Sequence, residues 1–384
     1  MNINDFVANF KTYPVLFIGT GLSLRYFDNS YTWDGLLSKI CNEYNGDPEY
    51  YLDLKSKCTD SNNICNYPKL GSLLEADFNE YAENNRNGKF KEVNDIFYEN
   101  MAAEKKLSRF KIYISSLFKD MHYRDEKKDE IEVFTKVRKN VGSVITTNYD
   151  NLIEKVFEFT PLIGNNILLS NPYGSVYKIH GSYDYPGDII ITKEDYDRFD
   201  SKYELIRAQL LSLFINNPII FLGYSIQDEN IKSLLKTIFT YVDPNTELAK
   251  KIRKNFLLVE YSEGSTNLDI SEHDIDINEI PGTIRINKIS TDNYIAIYNA
   301  LSDLVLPVSA LDIRKVQNVV KDIYSGGSIK VVIASYDEME NGDRILAIGT
   351  DNTLSYNFMN TNEMIQNYFR LIKEANSAMV TIQR

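Results

Sequence analysis

The stretch Tyr13-Pro-Val-Leu-Phe-Ile-Gly-Thr-Gly-Leu-Ser23 decides the fold. Its short apolar run ends in glycine, as buried parallel strands do. Gly19, Thr20, Gly21 and Ser23 then lead into a helix. Glycines at such a turn let the backbone approach a ligand closely, and the N–H groups after them can cradle phosphate. A tight turn with no ligand asks for the same glycines. Working outward, similar strand signals recur at Val141–Thr147, Val176–Ile179, Ile189–Thr192, Pro218–Gly223, Asn255–Glu260 and Thr283–Asn287. Helical patterning falls between them, at Trp33–Ile40, Asp195–Asn216 and Asp228–Phe239. Strands alternating with helices predict an α/β layered fold with a mainly parallel sheet.

Two regions depart from that alternation. From about residue 43 to 130 the chain is polar, Asn-rich and helical in rhythm. Leu73, Leu74, Phe78 and Tyr81 fall at helix spacing, as do Phe110, Ile114 and Phe118. This predicts a helical insertion beside the sheet, with a loop around 59–67. Leu306-Pro-Val-Ser309 marks a junction. Beyond it the pattern predicts a helix over 311–323 and strands over 328–335 and 344–349. Asn341-Gly342 turns between the strands, and a helix follows over 361–375. The expected organisation is residues 1–305 as one domain and 308–384 as a small α+β domain. The acidic stretch Asp269–Glu279 is expected as a solvated loop.

Composition bounds the function classes. The chain has 384 residues, 43% hydrophobic and 25% charged, enough to build a core. No apolar run approaches the roughly 20 residues that span a bilayer. The first ten residues lack a basic leader, so a cytoplasmic protein is expected. The net charge of -12 argues against direct nucleic-acid binding. The three cysteines, Cys41, Cys58 and Cys65, make no Cys-x-x-Cys pair and cannot supply a four-thiolate zinc site. Metal-binding histidine patterns, a Gly-x-Ser-x-Gly elbow and a P-loop are all absent from the sequence.

Three more segments carry potential chemistry. Thr146-Thr-Asn-Tyr-Asp150 ends a strand, where open α/β sheets place their ligands. Asn148 and Asp150 suit polar recognition there, although Asp150 or Asn151 can equally cap the next helix. His180, in Lys178-Ile-His-Gly-Ser182, follows a strand and has the residue type of a general base. His122 and His273 lie in polar surroundings and are expected in solvent. Phe221-Leu-Gly-Tyr-Ser-Ile-Gln-Asp228 repeats the strand-then-glycine pattern, with Gly223 and Ser225 at its turn.

In order, Gly-Thr-Gly-Leu-Ser, Trp33-Asp-Gly-Leu-Leu37, Thr-Thr-Asn-Tyr-Asp, Lys-Ile-His-Gly-Ser, Ile191-Thr-Lys-Glu-Asp-Tyr196 and Phe-Leu-Gly-Tyr-Ser resemble the sirtuin family. The likeness is strongest to the bacterial anti-phage branch that consumes NAD, and it covers roughly residues 1–305. It implies a Rossmann-like NAD-binding domain. By resemblance, Gly19, Thr20, Gly21 and Ser23 form the phosphate turn, and Asn148 and Asp150 sit beside the nicotinamide ribose. His180 matches the catalytic histidine, Gly223 and Ser225 the second nucleotide turn, and Glu260, more weakly, an adenosine contact.

The zinc ribbon of the family's deacylases is missing, and so is the long segment after its first turn, near which Arg25-Tyr-Phe-Asp28 stands. Without that module water is the expected acceptor. The resemblance therefore implies an NAD hydrolase with NAD as substrate and no metal, working as a homo-oligomer. Control is expected through assembly, a HerA-type ATPase or a phage-derived trigger, and not through a membrane. The alternatives are a non-catalytic NAD or ADP-ribose sensor and a zinc-free deacylase or ADP-ribosyltransferase.

Overall fold

The computed structural model describes residues 1–169, 173–202, 204–225, 246–276 and 283–306, positions 308, 310, 312–314, 316 and 317, and the strands 329–335 and 344–350. The main sheet has eight strands. They are β1 (Val15–Ile18), β2 (Val144–Thr146), β3 (Thr160–Ile163), β4 (Ser175–Lys178), β5 (Ile219–Leu222), β6 (Phe256–Tyr261), β7 (Ser271–Asp276) and β8 (Thr283–Thr291). Their order is β3-β4-β2-β1-β5-β6-β8-β7. Every pairing is parallel except β7 with β8. The fold is α/β and Rossmann-like.

Side-chain alternation explains the layers. Leu16, Ile18, Val144, Val176, Ile220, Leu222, Leu257 and Val259 pack into one core. Val15, Phe17, Ile145, Tyr177, Ile219, Phe221, Phe256 and Leu258 pack into the other. Period-two patterning with both sets apolar is what a sheet covered on both faces requires. The second core is closed by helices Glu204–Asn216 and Glu247–Asn255, through Leu210, Phe214, Ala249 and Ile252. The first is closed by the N-terminal helix, the insertion and helix Tyr294–Ser302.

The insertion is helical as expected. It begins in helix Trp33–Asn45 and adds Pro48–Lys57, Tyr67–Asn84, Lys91–Ala102 and Arg109–Leu117. Leu70, Leu74, Phe78 and Ala82 recur every four residues and are buried. Phe78 meets Phe90, Phe110 and Tyr113 at ring separations of 4.8, 6.0 and 5.3 Å. The insertion therefore has its own aromatic core, continuous with one face of the sheet.

Several expectations need correction. Ile189–Thr192 is not a strand: Pro186–Asp188 is a short 3-10 turn and the segment after it runs irregularly. Ile189 and Ile191 are apolar because they pack into the core, and the Ile190 N–H donates to His180 O at 3.0 Å. The acidic stretch is not simply a loop, because Ser271–Asp276 forms edge strand β7. Charge is tolerated at an edge, and Arg285 on β8 pairs with Asp274 at 2.7 Å and Glu272 at 3.2 Å. The other edge, β3, was not anticipated; Pro161 within it suits an edge position. Residues 195–216 fall into two helices, Lys193–Lys202 and Glu204–Asn216. His122 is exposed and His273 half-buried.

In the tail, strands Ile329–Ser335 and Arg344–Thr350 pair antiparallel as the Asn-Gly signal predicts. The turn between them, the helix expected at 361–375 and the segment 228–239 lie outside the described residues.

Candidate functional site

The strand order reverses around β1. The chain passes from β1 to β2 on one side and later returns to β5 on the other. Ligands of open α/β sheets bind at the carboxyl ends of strands beside such a reversal. At that point the two glycine turns touch. The Gly21 N–H donates to Gly223 O at 3.0 Å, and the Gly19 N–H donates to Leu222 O at 2.9 Å. A Cβ on Gly19 would stand 2.7 Å from the Tyr224 ring, and one on Gly21 would stand 2.8 Å from Gly223 O. Gly223 has φ +75°, which only glycine adopts without strain. Turn-on-turn packing therefore already requires all three glycines. The N–H groups of Gly19 and Gly21 serve that contact.

Beside this contact a buried polar chain links β1 to β2. Asn148 Nδ2 donates to Gly19 O at 3.0 Å and to Ser23 Oγ at 2.8 Å. Ser23 Oγ donates to Asp150 Oδ2 at 2.7 Å, and Asp150 Oδ1 accepts the Leu152 N–H at 3.0 Å. Asp150 thus both caps the next helix and anchors Ser23. A carbonyl only accepts, so the Gly19 contact fixes which end of the Asn148 amide faces it. Asn148 Oδ1 is left buried with no partner. A buried acceptor without a partner costs about 1–3 kcal/mol, and strain of this kind is tolerated where a ligand will meet the group.

His180 follows β4, and the Ile179 N–H donates to Thr146 O at 3.0 Å to continue the sheet. The imidazole is 4% exposed and meets the rings of Tyr196 and Phe199 edge-on at 5.3 and 6.3 Å. Burial pushes it down to about 4, so it is neutral at physiological pH. Its Nδ1 is buried and has no partner. A neutral imidazole with an uncommitted nitrogen has the electronic state of a general base.

One group was missed by sequence reasoning. Lys178, two residues before His180, has a side chain 0% exposed. Its ammonium donates to Asp150 O, to Tyr149 O at 3.4 Å and to Glu154 Oε1 at 2.8 Å. It clamps the backbone that carries Asn148 and Asp150. A lysine at the end of a buried strand is the signal that could have revealed it, since such a charge must be paired.

Two spaces adjoin the glycine contact. One is a cavity of about 30 Å³ lined by Thr20, Ser30, Thr147, Asn148 and Asp150, roofed by Trp33 and Phe118. The other is an open cleft of about 640 Å³ lined by Gly21, Gly223, Tyr224, Ser225, Glu260, Tyr261 and Tyr294. Arg25 lies in the cleft wall, held by Glu130 and by Asp292 at 2.7 Å. Burial works against the Arg25 cation, but Glu130 and Asp292 outweigh it and keep it charged. The structure thus gathers Thr20, Asn148 and Asp150 at the cavity, with Ser23 buried behind them, and Gly21, Gly223, Ser225 and Glu260 at the cleft. His180 borders neither space directly and reaches the group through Tyr196, whose ring is 6.3 Å from Trp33. Among the described residues no cluster of His, Cys, Asp or Glu could hold a metal, and no helix is long and apolar enough to cross a membrane.

A parallel sheet with a polar chain and a cleft at its reversal point has the layout in which open α/β sheets bind their ligands. Comparison with known proteins narrows the class. The family model of the SIR2-like domain matches residues 142–273. The chain is 24% identical over 310 residues to NAD(+) hydrolase ThsA of Enterococcus faecium, covering 77% of this chain and 55% of that relative. It is 34% identical over 108 residues to Defense-associated sirtuin 2 of Bacillus subtilis, covering 26% and 11%. It is 30% identical over 113 residues to NAD(+) hydrolase ThsA of Acinetobacter baumannii, covering 27% and 23%. The chain is thus similar to sirtuin-like proteins, and it spans about half the length of the first of these relatives or less of the others.

Proposed function

We propose that the chain is an NAD hydrolase of anti-phage defence, cleaving the nicotinamide–ribose bond to give ADP-ribose and nicotinamide. The observation that carries this reading is the buried Asn148–Ser23–Asp150 chain. It leaves Asn148 Oδ1 unpartnered, and the neutral His180, on the neighbouring strand end, has an unpartnered Nδ1 too. The names of the ThsA relatives supply the substrate.

Bond cleavage builds positive charge on the ribose, an oxocarbenium-like state. The bond from C1′ to the nicotinamide nitrogen breaks, and its electron pair neutralises the pyridinium. Water adds to C1′ and one proton is released. Nothing is oxidised or reduced. Asn148 Oδ1 accepts from the ribose hydroxyl or the water, and His180 takes the proton. Asp150 anchors Ser23 and, with acceptor capacity left on both oxygens, takes a hydrogen bond from the nicotinamide carboxamide. Tyr224, Tyr261, Ser225 and Glu260 offer the cleft to the adenosine end.

An NAD hydrolase needs an off-state to spare its host. We place that control in residues 308–384, through self-assembly or a partner, a HerA-type ATPase or a phage-derived trigger being the partners considered. The test is incubation of the purified chain with NAD, with and without its genomic-neighbour protein, reading nicotinamide and ADP-ribose. His180-dependent release of both supports the reading. Tight NAD binding without turnover under either condition favours a sensor, and release that requires an acylated peptide or protein acceptor favours a transferase.

A further inference from the structure

The 30 Å³ cavity holds a second orphaned atom. Ser30 Oγ is buried and has no partner, and Ser30 lines the same cavity as Asn148. Two unpaired polar atoms on one small space are costly unless something joins them. A single water needs roughly 10–15 Å³ of such space and two to four polar partners. The cavity therefore has room for at least one water. The segment that delivers Ser30 is pinned. The Asp28 N–H donates to His122 O at 3.0 Å, Asn29 Nδ2 donates to Asp120 O at 2.7 Å, and Asn29 Oδ1 accepts the His122 N–H at 3.2 Å. Thr32 then caps the next helix by accepting the Gly35 N–H at 3.0 Å. Ser30 is thus positioned by the fold and not by a ligand.

We propose that Ser30 and Asn148 form a water-binding site, and that its water is the nucleophile that adds to ribose C1′. The site stands on the cavity and the two orphaned atoms, while the fate of its water rests on the hydrolysis reading above. The water accepts from Ser30 Oγ and donates to Asn148 Oδ1, which points a lone pair away from the amide. On attack the C1′–O bond forms, the C1′–N bond breaks with its electron pair going to the nicotinamide nitrogen, and the water gives up one proton to solvent or, by relay, to His180. Selection for water follows from the two hydrogen bonds that Ser30 and Asn148 offer it. Ser30 is on this account a further positioning residue, and it determines which nucleophile is used.

The test combines a high-resolution crystal structure of the full chain with product analysis in water–methanol mixtures. The expected density is an ordered water within hydrogen-bond reach of both Ser30 Oγ and Asn148 Oδ1, lost in Ser30→Ala and kept in Ser30→Thr. In turnover, Ser30→Ala should lower kcat about tenfold with KM unchanged, as loss of one hydrogen bond implies. It should also raise the ratio of methyl ADP-ribose to ADP-ribose severalfold, and Ser30→Thr should restore both. A merely structural role would leave the product ratio alone. A dry cavity overturns the site, whether or not NAD is consumed. An unmoved product ratio in a variant that has lost the water overturns the nucleophile role. A filled cavity in a chain that never consumes NAD leaves the water site standing and overturns the hydrolysis reading instead.

Discussion

Next to the contact between Gly21 and Gly223 lie a small cavity of about 30 Å³ and a cleft of about 640 Å³. The cavity has buried, uncommitted polar atoms and no paired cation. The cleft has aromatic rings and ion pairs that are already satisfied, such as Arg25 with Asp292 and Lys288 with Glu260 at 2.7 Å. Desolvated, unpaired groups are where a reacting atom gains most from the protein. Satisfied, half-open surfaces bind without reacting. On the proposed function the difference is a division of labour, with chemistry at the buried unpartnered groups and grip at the cleft, and the glycine turns between them.

The largest effects should fall on two of the buried groups that keep an unpartnered atom. His180→Ala and Asn148→Ala should each lower kcat for NAD hydrolysis roughly a thousandfold, within the range general-base groups contribute. KM should change little. Steady-state kinetics checks this, and a KM effect without a kcat effect would erase the division.

Lys178→Met should come next, in stability rather than rate. It leaves Glu154 facing a buried site without its cation, at a cost of about 3–5 kcal/mol. Urea unfolding of the single variant and of Lys178→Met with Glu154→Gln measures it, and the double variant should recover part of the loss.

The pH dependence of stability should follow His180. The unfolded imidazole takes up a proton below its ordinary 6.5, while the folded one resists until about 4. Between those values the unfolded state binds more protons, so stability falls as pH drops from 6.5 to 4. The loss amounts to roughly 3 kcal/mol at most. Unfolding free energies across that window should slope less in His180→Ala than in the wild type. Hydrolysis should persist down to near pH 4, because the base stays neutral.

The glycine contact itself is tested by Gly223→Ala. Its φ of +75° and a Cβ 2.7 Å from Gly19 O make the change cost about 2 kcal/mol. Thermal unfolding should show a lower Tm, and both kcat and KM should suffer. The smallest effect belongs to the cleft. Tyr261→Ala should raise KM about fivefold and leave kcat alone, as loss of one aromatic contact implies.

Much of this was legible in the sequence where local and global signals agree. Val15–Ile18 and Ile219–Leu222 read as strands because an apolar run stops at a glycine that the turn contact demands. Ile189–Thr192 misled because burial under a loop and burial in a sheet select the same residues. Ser271–Asp276 misled in the other direction, since an edge strand needs little hydrophobicity. The polar chain was readable as single residues only. That Asn148, Ser23 and Asp150 form one line and that Ser30 faces it are facts of tertiary approach across segments over a hundred residues apart, and Lys178 grips that line from 28 residues beyond Asp150. No local pattern encodes them.

The most direct test of the division is a single incubation of the purified chain with NAD and its genomic-neighbour protein, with His180→Ala and Asn148→Ala alongside. The account predicts equal amounts of nicotinamide and ADP-ribose from the wild type. It also predicts loss of both in each variant, while NAD binding to the cleft survives. Equal turnover by wild type and variants would contradict it, because the chemistry would then lie elsewhere in the molecule.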